Sequence, residues 1–322
     1  MEAASLRRLA LANFDRLRSA SVSRVDEINP RCVAVDDGDT LVMTVLDPDI
    51  ESVARSLVRA VSMFGPKGGD IVFAVREGIT QRREANVLAR AAELSGFSAW
   101  RLQGSELVQL QADGPSFIAG RQIAVADVPV DVSAYPDVRI CGYHDGGSIE
   151  YRGLRIAQFD LEGAVEVGVS ERDRQSRVLG FGEQYVREIE FVRCLTEVRS
   201  RRRAVSNHPL ASVAQGRWMR DALLEYPRPG SLTAIEVGSF KDPRERSFAV
   251  GNQGECLAAF FGSFDPASVL ESLVVLSDLR EYGHLGSQSA LHWYVQEKDV
   301  FPIWSTWADS LSIPVEVHVM PP

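Results

Sequence analysis

The sequence predicts an α/β fold of two Rossmann-like βαβαβ lobes, with a β-rich insert and a helical connector between them. Two stretches predict it. Near the N-terminus the apolar run LVMTVL leads through Asp47-Pro48 into a helical stretch (IESVARSLVRAVSMFG). An apolar run (IVFAV), Glu77, a second helical stretch (RREANVLARAAELSG) and a third strand (FSAWRL) follow. Between Cys256 and Met320 the same order returns as CLAAFFGSF, Asp265-Pro266, an amphipathic helix (ASVLESLVVLSDLREYG), LHWYV, Glu297, PIWSTWADSL and PVEVHV. Short continuous apolar runs suit strands covered on both faces, and parallel neighbours need a crossover helix, right-handed almost without exception.

The matching extends to punctuation. Each first strand runs into Asp-Pro, where Pro suits the first helical turn because its missing N–H has no partner there, and Asp47 and Asp265 are the predicted N-caps. A Glu follows each second strand, 29 residues after Pro48 and 31 after Pro266. Because the fold class itself dictates apolar strands and capped helices, two origins fit: a tandem duplication or convergent patterning.

The elements in order give four regions: an N-terminal α/β lobe over 1–104, a β-rich extension or insert over 105–165, a helical connector over 166–230 and a C-terminal α/β lobe over 231–322. The first helix, residues 3 to 19, puts Leu6, Leu9, Ala10, Phe14 and Leu17 on one face. RCVAVDDGDTLVMTVL reads as a hairpin turning at Asp37-Gly38. Gly65-Pro66-Lys67-Gly68-Gly69 follows a helix and precedes a strand, the reverse of a phosphate loop, and is read as a connector. In the insert, short β-like runs are broken by Gly, Pro and Asp; Tyr143-His144-Asp145-Gly146-Gly147 is one of its turns. The connector offers Val178, Tyr185, Val186, Ile189, Phe191, Val192 and Leu195 as a core-facing stripe, and Tyr226-Pro227-Arg228-Pro229-Gly230 breaks it before the last lobe.

The totals bound the function classes. The chain has 322 residues, 45% hydrophobic and 25% charged, which is ordinary for a soluble globular protein of about two domains. A net charge of −9 excludes a whole-surface nucleic-acid binder and leaves only a local basic patch for such contacts. Cys32, Cys141, Cys194 and Cys256 are widely spaced with no CxxC pair, so they read as buried, reduced thiols. No signal peptide or membrane-length apolar run is evident, which makes the cytoplasm the expected location and a membrane partner unexpected.

Two sets of side chains carry the candidate chemistry. The connector ends in Arg199, Arg201, Arg202 and Arg203, followed by His208 and a helix bearing Arg217, Trp218 and Arg220. Arginine forks onto phosphate or carboxylate, and Trp stacks a base or a guanidinium, so Arg201, Arg202, Arg203, His208, Arg217, Trp218 and Arg220 are the candidate ligand-binding residues. A solvated helix end is the plainer account of the same cluster. The second set lies beyond the carboxyl ends of the predicted strands, where α/β proteins keep their ligands: Asp47, Asp49 and Glu77 in one lobe, Asp265, Glu297 and Asp299 in the other. As catalytic candidates, Asp47, Glu77, Asp265 and Glu297 would hold Mg²⁺ or tune one another's pKa, while helix capping explains the same Asp-Pro steps. Motifs for dinucleotide or P-loop binding, zincins, hydrolase elbows and Cys/His metal clusters are absent.

Glu166-Val167-Gly168-Val169, Arg172-Asp173-Arg174, His208-Pro209-Leu210, Arg217-Trp218-Met219-Arg220 and Val295-Gln296-Glu297-Lys298-Asp299 leading into Pro302 carry one resemblance. From about Glu166 onward the chain resembles a family of uncharacterised two-lobed α/β proteins of high-GC bacteria. The resemblance implies a fold and no activity. Ser263-Phe264-Asp265-Pro266 stands where that family has an acidic, apolar run, so no shared ligand is carried over.

The expected function is a binding or assembly protein that recognises an anionic, nucleotide-like ligand or a protein partner, with homo-oligomerisation among the expected modes. The alternative is a metal-dependent phosphoesterase or nuclease using the carboxylates with Mg²⁺. A third reading makes the chain an interaction subunit anchored by Trp304, Trp307 or the first helix.

Overall fold

The computed structural model describes residues 3–46, 49–65, 67–74, 82–112, 127–143, 146–178, 184–202, 209–211, 214–224, 232–237, 246–262, 266–300, 308 and 313–320. Helix α1 (Ala3–Leu17) precedes an antiparallel meander of β1 (Arg24–Asn29), β2 (Cys32–Asp36) and β3 (Leu41–Leu46). The chain then runs through α2 (Ile50–Phe64) to β4 (Gly69–Ala74) and through α3 (Arg82–Leu94) to β5 (Phe97–Gln103). β3, β4 and β5 pair in parallel, with Leu41 beside Gly69 and Gly69 beside Phe97. β6 (Glu106–Gln109) folds back antiparallel on β5 and completes a six-stranded sheet of order β1-β2-β3-β4-β5-β6.

The insert forms β7 (Val138–Tyr143), β8 (Gly146–Tyr151), β9 (Leu154–Asp160) and β10 (Val165–Val167), an antiparallel sheet of order β10-β9-β8-β7. The connector supplies α4 (Glu171–Val178), α5 (Gln184–Arg201) and α6 (Gln215–Leu224). Last come β11 (Leu232–Ile235), β12 (Arg246–Gly251), β13 (Cys256–Phe261), α7 (Pro266–Glu281), β14 (Ala290–Gln296) and β15 (Val315–Met320), with sheet order β11-β12-β13-β14-β15. The protein is therefore α/β, with two mixed sheets containing parallel strand pairs and an antiparallel four-stranded sheet between them in the chain.

The chain divides into two units. One comprises Met1–Ser116, Asp265–His292 and Lys298–Val317, the other Phe117–Phe264, Trp293–Glu297 and His318–Pro322. In the first, Leu6, Ala10 and Phe14 of α1 are buried against Val33, Val35, Val42 and Val72 of the sheet, as the helical spacing predicts. Asn13 on the same face donates from Nδ2 to Thr44 Oγ1 at 3.1 Å, which satisfies two buried polar groups at once. Trp100 Nε1 donates to the buried Asp70 at 2.8 Å, and Arg18 pairs with the same carboxylate.

The β2–β3 turn falls at Asp37-Gly38, where Gly38 has φ +106° and the Asp37 carboxylate accepts from the amides of Asp39 and Thr40. Lys67 of the Gly-rich connector closes onto this turn, donating from Nζ to the Asp36 carboxylate at 2.9 Å and to the Gly38 carbonyl at 2.7 Å. Its charge is thus used within the fold. In the other unit, α5 lies on the four-stranded sheet and packs Phe191, Cys194, Leu195 and Val198 against Ile149, Leu154, Ile156 and Phe159. All four cysteines are buried and outside disulfides. Among the described residues no helix is long and apolar enough to cross a membrane.

Three local expectations are corrected. The N-cap of α2 is Asp49, not Asp47: its carboxylate accepts from Ser52 N at 2.7 Å while Ser52 Oγ accepts from Asp49 N at 3.0 Å. This reciprocal box needs a hydroxyl three residues on, which Asp47 lacks because Ile50 stands there. On α5 the buried stripe is 191, 194, 195 and 198, the i, i+3, i+4, i+7 series, while Ile189 and Val192 are 48% and 41% exposed. Finally, α7 is not amphipathic. Every residue from Ala267 to Leu276 is buried, as expected of a helix apolar on nearly all sides. Within its unit α7 packs on α2 and α3, and the buried Arg90 of α3 pairs with Asp278 at 3.0 Å and with Glu281.

Replacing the capping carboxylate, Asp49→Ala, is expected to lower stability by about 1 kcal/mol, read as a reduced urea midpoint at unchanged slope.

Candidate functional site

Helix α6 reads QGRWMRDALL, and its i, i+3, i+4 spacing sets Arg217, Arg220 and Asp221 on one side. The helix sits hard against the turn between β8 and β9. Gly153 there has φ +73°, and a Cβ on it would lie 2.5 Å from Arg217 Cβ and 2.6 Å from the Arg217 carbonyl carbon. Only a glycine lets the helix come this close.

The close approach brings α6 onto a buried set of charges from three other segments. The Arg217 guanidinium pairs with Glu150 of β8 and, at 2.9 Å, with Glu236 just after β11. Arg220 reaches the other oxygen of Glu236 at 2.6 Å and Asp221 at 3.1 Å, and Arg139 of β7 meets Asp221 at 3.1 Å. Ser148 Oγ donates to Glu150 at 3.0 Å. Among the described residues, Arg139, Arg217 and Arg220 thus pair with Glu150, Asp221 and Glu236.

Protonation follows from that geometry. Burial alone would raise the Glu236 carboxyl, but the Arg217 and Arg220 guanidinium groups together outweigh it and hold it below the ordinary glutamate range. Burial, with Glu150 and Glu236 adding to it, pushes the neighbouring Cys141 thiol well up. It is therefore kept as a thiol and is not a nucleophile.

Arg202, just past α5, is also buried. It donates from Nε and Nη2 to the Arg152 carbonyl at 3.0 and 2.9 Å and from Nη1 to the Leu210 carbonyl, with its guanidinium 5.0 Å from the Trp218 ring centre. Burial lowers it to about 10, so it stays charged at neutral pH. Trp218 therefore stacks an arginine of its own chain. Arg201 is exposed in the last turn of α5 and pairs with Glu197 at 2.9 Å, one helical turn back.

Of the predicted ligand-binding residues, the structure brings Arg217 and Arg220 into one network and Arg202 and Trp218 into one stack; Arg201 is apart from both. Arg203 and His208 lie outside the described residues, as do Trp304 and Trp307. Among the predicted catalytic carboxylates Asp47, Glu77 and Asp265 also lie outside them, and Glu297 is exposed at the start of a single 3-10 turn, Glu297–Asp299.

Sequence reasoning missed a second cluster. On β15, Glu316 and His318 are two residues apart and project to the same face of the strand, and β14 carries His292. His292 Nδ1 lies 3.6 Å from Glu316 Oε2. The His318 ring stacks on Tyr294 at 4.8 Å and 17°, and Tyr294 stacks in turn on Phe260 at 4.7 Å and 16°. The available signal was the Glu-x-His pair in a period-2 strand beside another strand bearing His; the sequence alone did not say which strands are neighbours.

Comparison with protein-family models, curated proteins and solved structures finds no match.

Removing one member of a buried ion network leaves the rest uncompensated. Glu236→Gln is expected to cost about 3–5 kcal/mol near neutral pH. Because the folded carboxyl is held low, its stabilisation is full above the ordinary glutamate value of 4.5 and is lost as pH falls through the lower folded value. Urea midpoints measured against pH should therefore fall more steeply on acidification in the wild-type chain than in the variant.

Proposed function

We propose that the chain is a binding or assembly protein whose partner is a protein docked on strand β15, and that this partner is a second copy of the chain. The carrying observation is the strand itself. β15 ends its sheet, and among the described residues no strand lies on its outer side. Val317 and Val319 are 37% and 51% exposed, and no Lys or Pro interrupts Val315–Met320 to blunt an open edge.

The strand is self-complementary. In an antiparallel pairing centred on Val317, the run Val315-Glu316-Val317-His318-Val319 sets valine opposite valine, and Glu316 opposite the partner's His318 on both sides of the two-fold axis. An isologous contact requires such a pattern, and main-chain hydrogen bonds to an exposed edge provide its affinity. The compensated charges around α6 favour a protein partner over an anion.

We read the two mixed sheets as Rossmann-like lobes related by duplication. Supporting this, β1-β2-β3-β4-β5 and β11-β12-β13-β14-β15 share one strand order, each entering a strand–helix–strand unit through two antiparallel strands. On that reading β6 covers the edge of β5 in the first lobe, and the partner copy covers the equivalent edge of β15 in the second.

Light scattering on the full chain is expected to give twice the mass of one chain. Val317→Lys places like charges opposite each other at the two-fold axis and should weaken association about tenfold or more. A wild-type chain that stays monomeric, or a Val317→Lys chain that dimerises unchanged, would overturn the proposal.

A further inference from the structure

We infer that the outward face of α5 is a second self-association surface, on which the α5 of another copy packs in parallel as a short coiled coil. The helix has 18 residues, Gln184–Arg201, and buries Phe191, Cys194, Leu195 and Val198 toward the four-stranded sheet. Its other side turns outward. There Ile189, Val192, Arg193 and Thr196 are exposed, Ile189 by 48% and Val192 by 41%.

A helix resting on its own sheet is expected to turn a polar face outward, and single apolar residues scattered on a surface signify nothing. These are not scattered. In the sequence Tyr185, Ile189, Val192 and Thr196 stand at steps of four, three and four residues, the alternation that keeps a seam of period 3.5 on one side of a helix. The apolar residues of α5 thus fall into two stripes, one for its own sheet and one for a neighbouring helix.

Charge identifies that neighbour. With Ile189 and Val192 on the seam, Glu188 flanks it on one side and Arg193 on the other, five residues apart. In a parallel pair a flanking residue meets the one five positions later on the second helix, so Glu188 meets Arg193 of the other copy, and the contact recurs across the two-fold axis. An antiparallel pair brings like flanks together, Glu188 near Glu188 and Arg193 near Arg193, which repulsion opposes. Among the described residues Glu188 makes no ion pair, and Arg193, its side chain 74% exposed, makes a loose one to Glu190 at 3.5 Å. Two heptads are too few to hold isolated helices together, but α5 is already folded on its sheet and brings little ordering cost to the contact. Stable interfaces bury about 1,200 Å² or more, and two short stripes cover less, so this association is the weaker of the two and depends on protein concentration. It lies wholly within one unit and uses no residue of β15.

The test is sedimentation of the full chain over a concentration series, with and without Val317→Lys, a change that removes the strand pairing and touches nothing on α5. The wild-type chain is expected to grow beyond two copies as concentration rises, and the Val317→Lys chain to keep a weak monomer–dimer equilibrium. In that background Ile189→Glu should weaken association about tenfold or more, as should Glu188→Lys, which sets like charges across the seam. Adding Arg193→Glu to Glu188→Lys should restore it, a rescue that damage to folding would not show. A Val317→Lys chain that is monomeric throughout, association unchanged by Ile189→Glu, or a double reversal no tighter than Glu188→Lys alone would overturn the helix pairing and leave the stripe to a helix of a different protein. If Val317→Lys associates as tightly as the wild-type chain yet responds to Ile189→Glu, the helix pairing stands and the strand pairing falls.

Discussion

Burying a guanidinium is tolerable only where carboxylates and carbonyls replace the water it loses, and the unit containing α6 is built around that requirement. Arg217 and Arg220 share Glu236, Arg217 also takes Glu150, and Asp221 joins Arg220 to Arg139. Four separate segments, β7, β8, α6 and the residue after β11, are thereby tied together by ion pairs. The geometry depends in turn on Gly153, whose missing side chain lets α6 approach the β8–β9 turn. A basic-looking stretch of sequence becomes, in three dimensions, a set of internal fasteners.

The last sheet ends on β15, an apolar edge strand with Val317 and Val319 exposed.

Local signals were legible where the chain's own periodicity decides the outcome. The apolar runs of β3 and β4 are buried strands, α1 buries Leu6, Ala10 and Phe14, and Asp37-Gly38 turns a hairpin. Errors arose where two local rules competed. The Asp47-Pro48 step reads as the helix start, and the reciprocal bond to Ser52 makes Asp49 the cap instead. On α5, more apolar residues offer themselves than one face can bury, and Ile189 and Val192 are left outside.

By itself the sequence determined the α/β class, the β-rich character of the insert and the burial of the cysteines, because each follows from side-chain pattern within a few residues. Only the tertiary structure decided which charges meet. Arg217 is 67 residues from Glu150, and His292 is 24 from Glu316, and no periodicity links positions so far apart. Electrostatic pairing depends on distances of a few ångströms in space, and the strand order, not the order of residues, sets those distances.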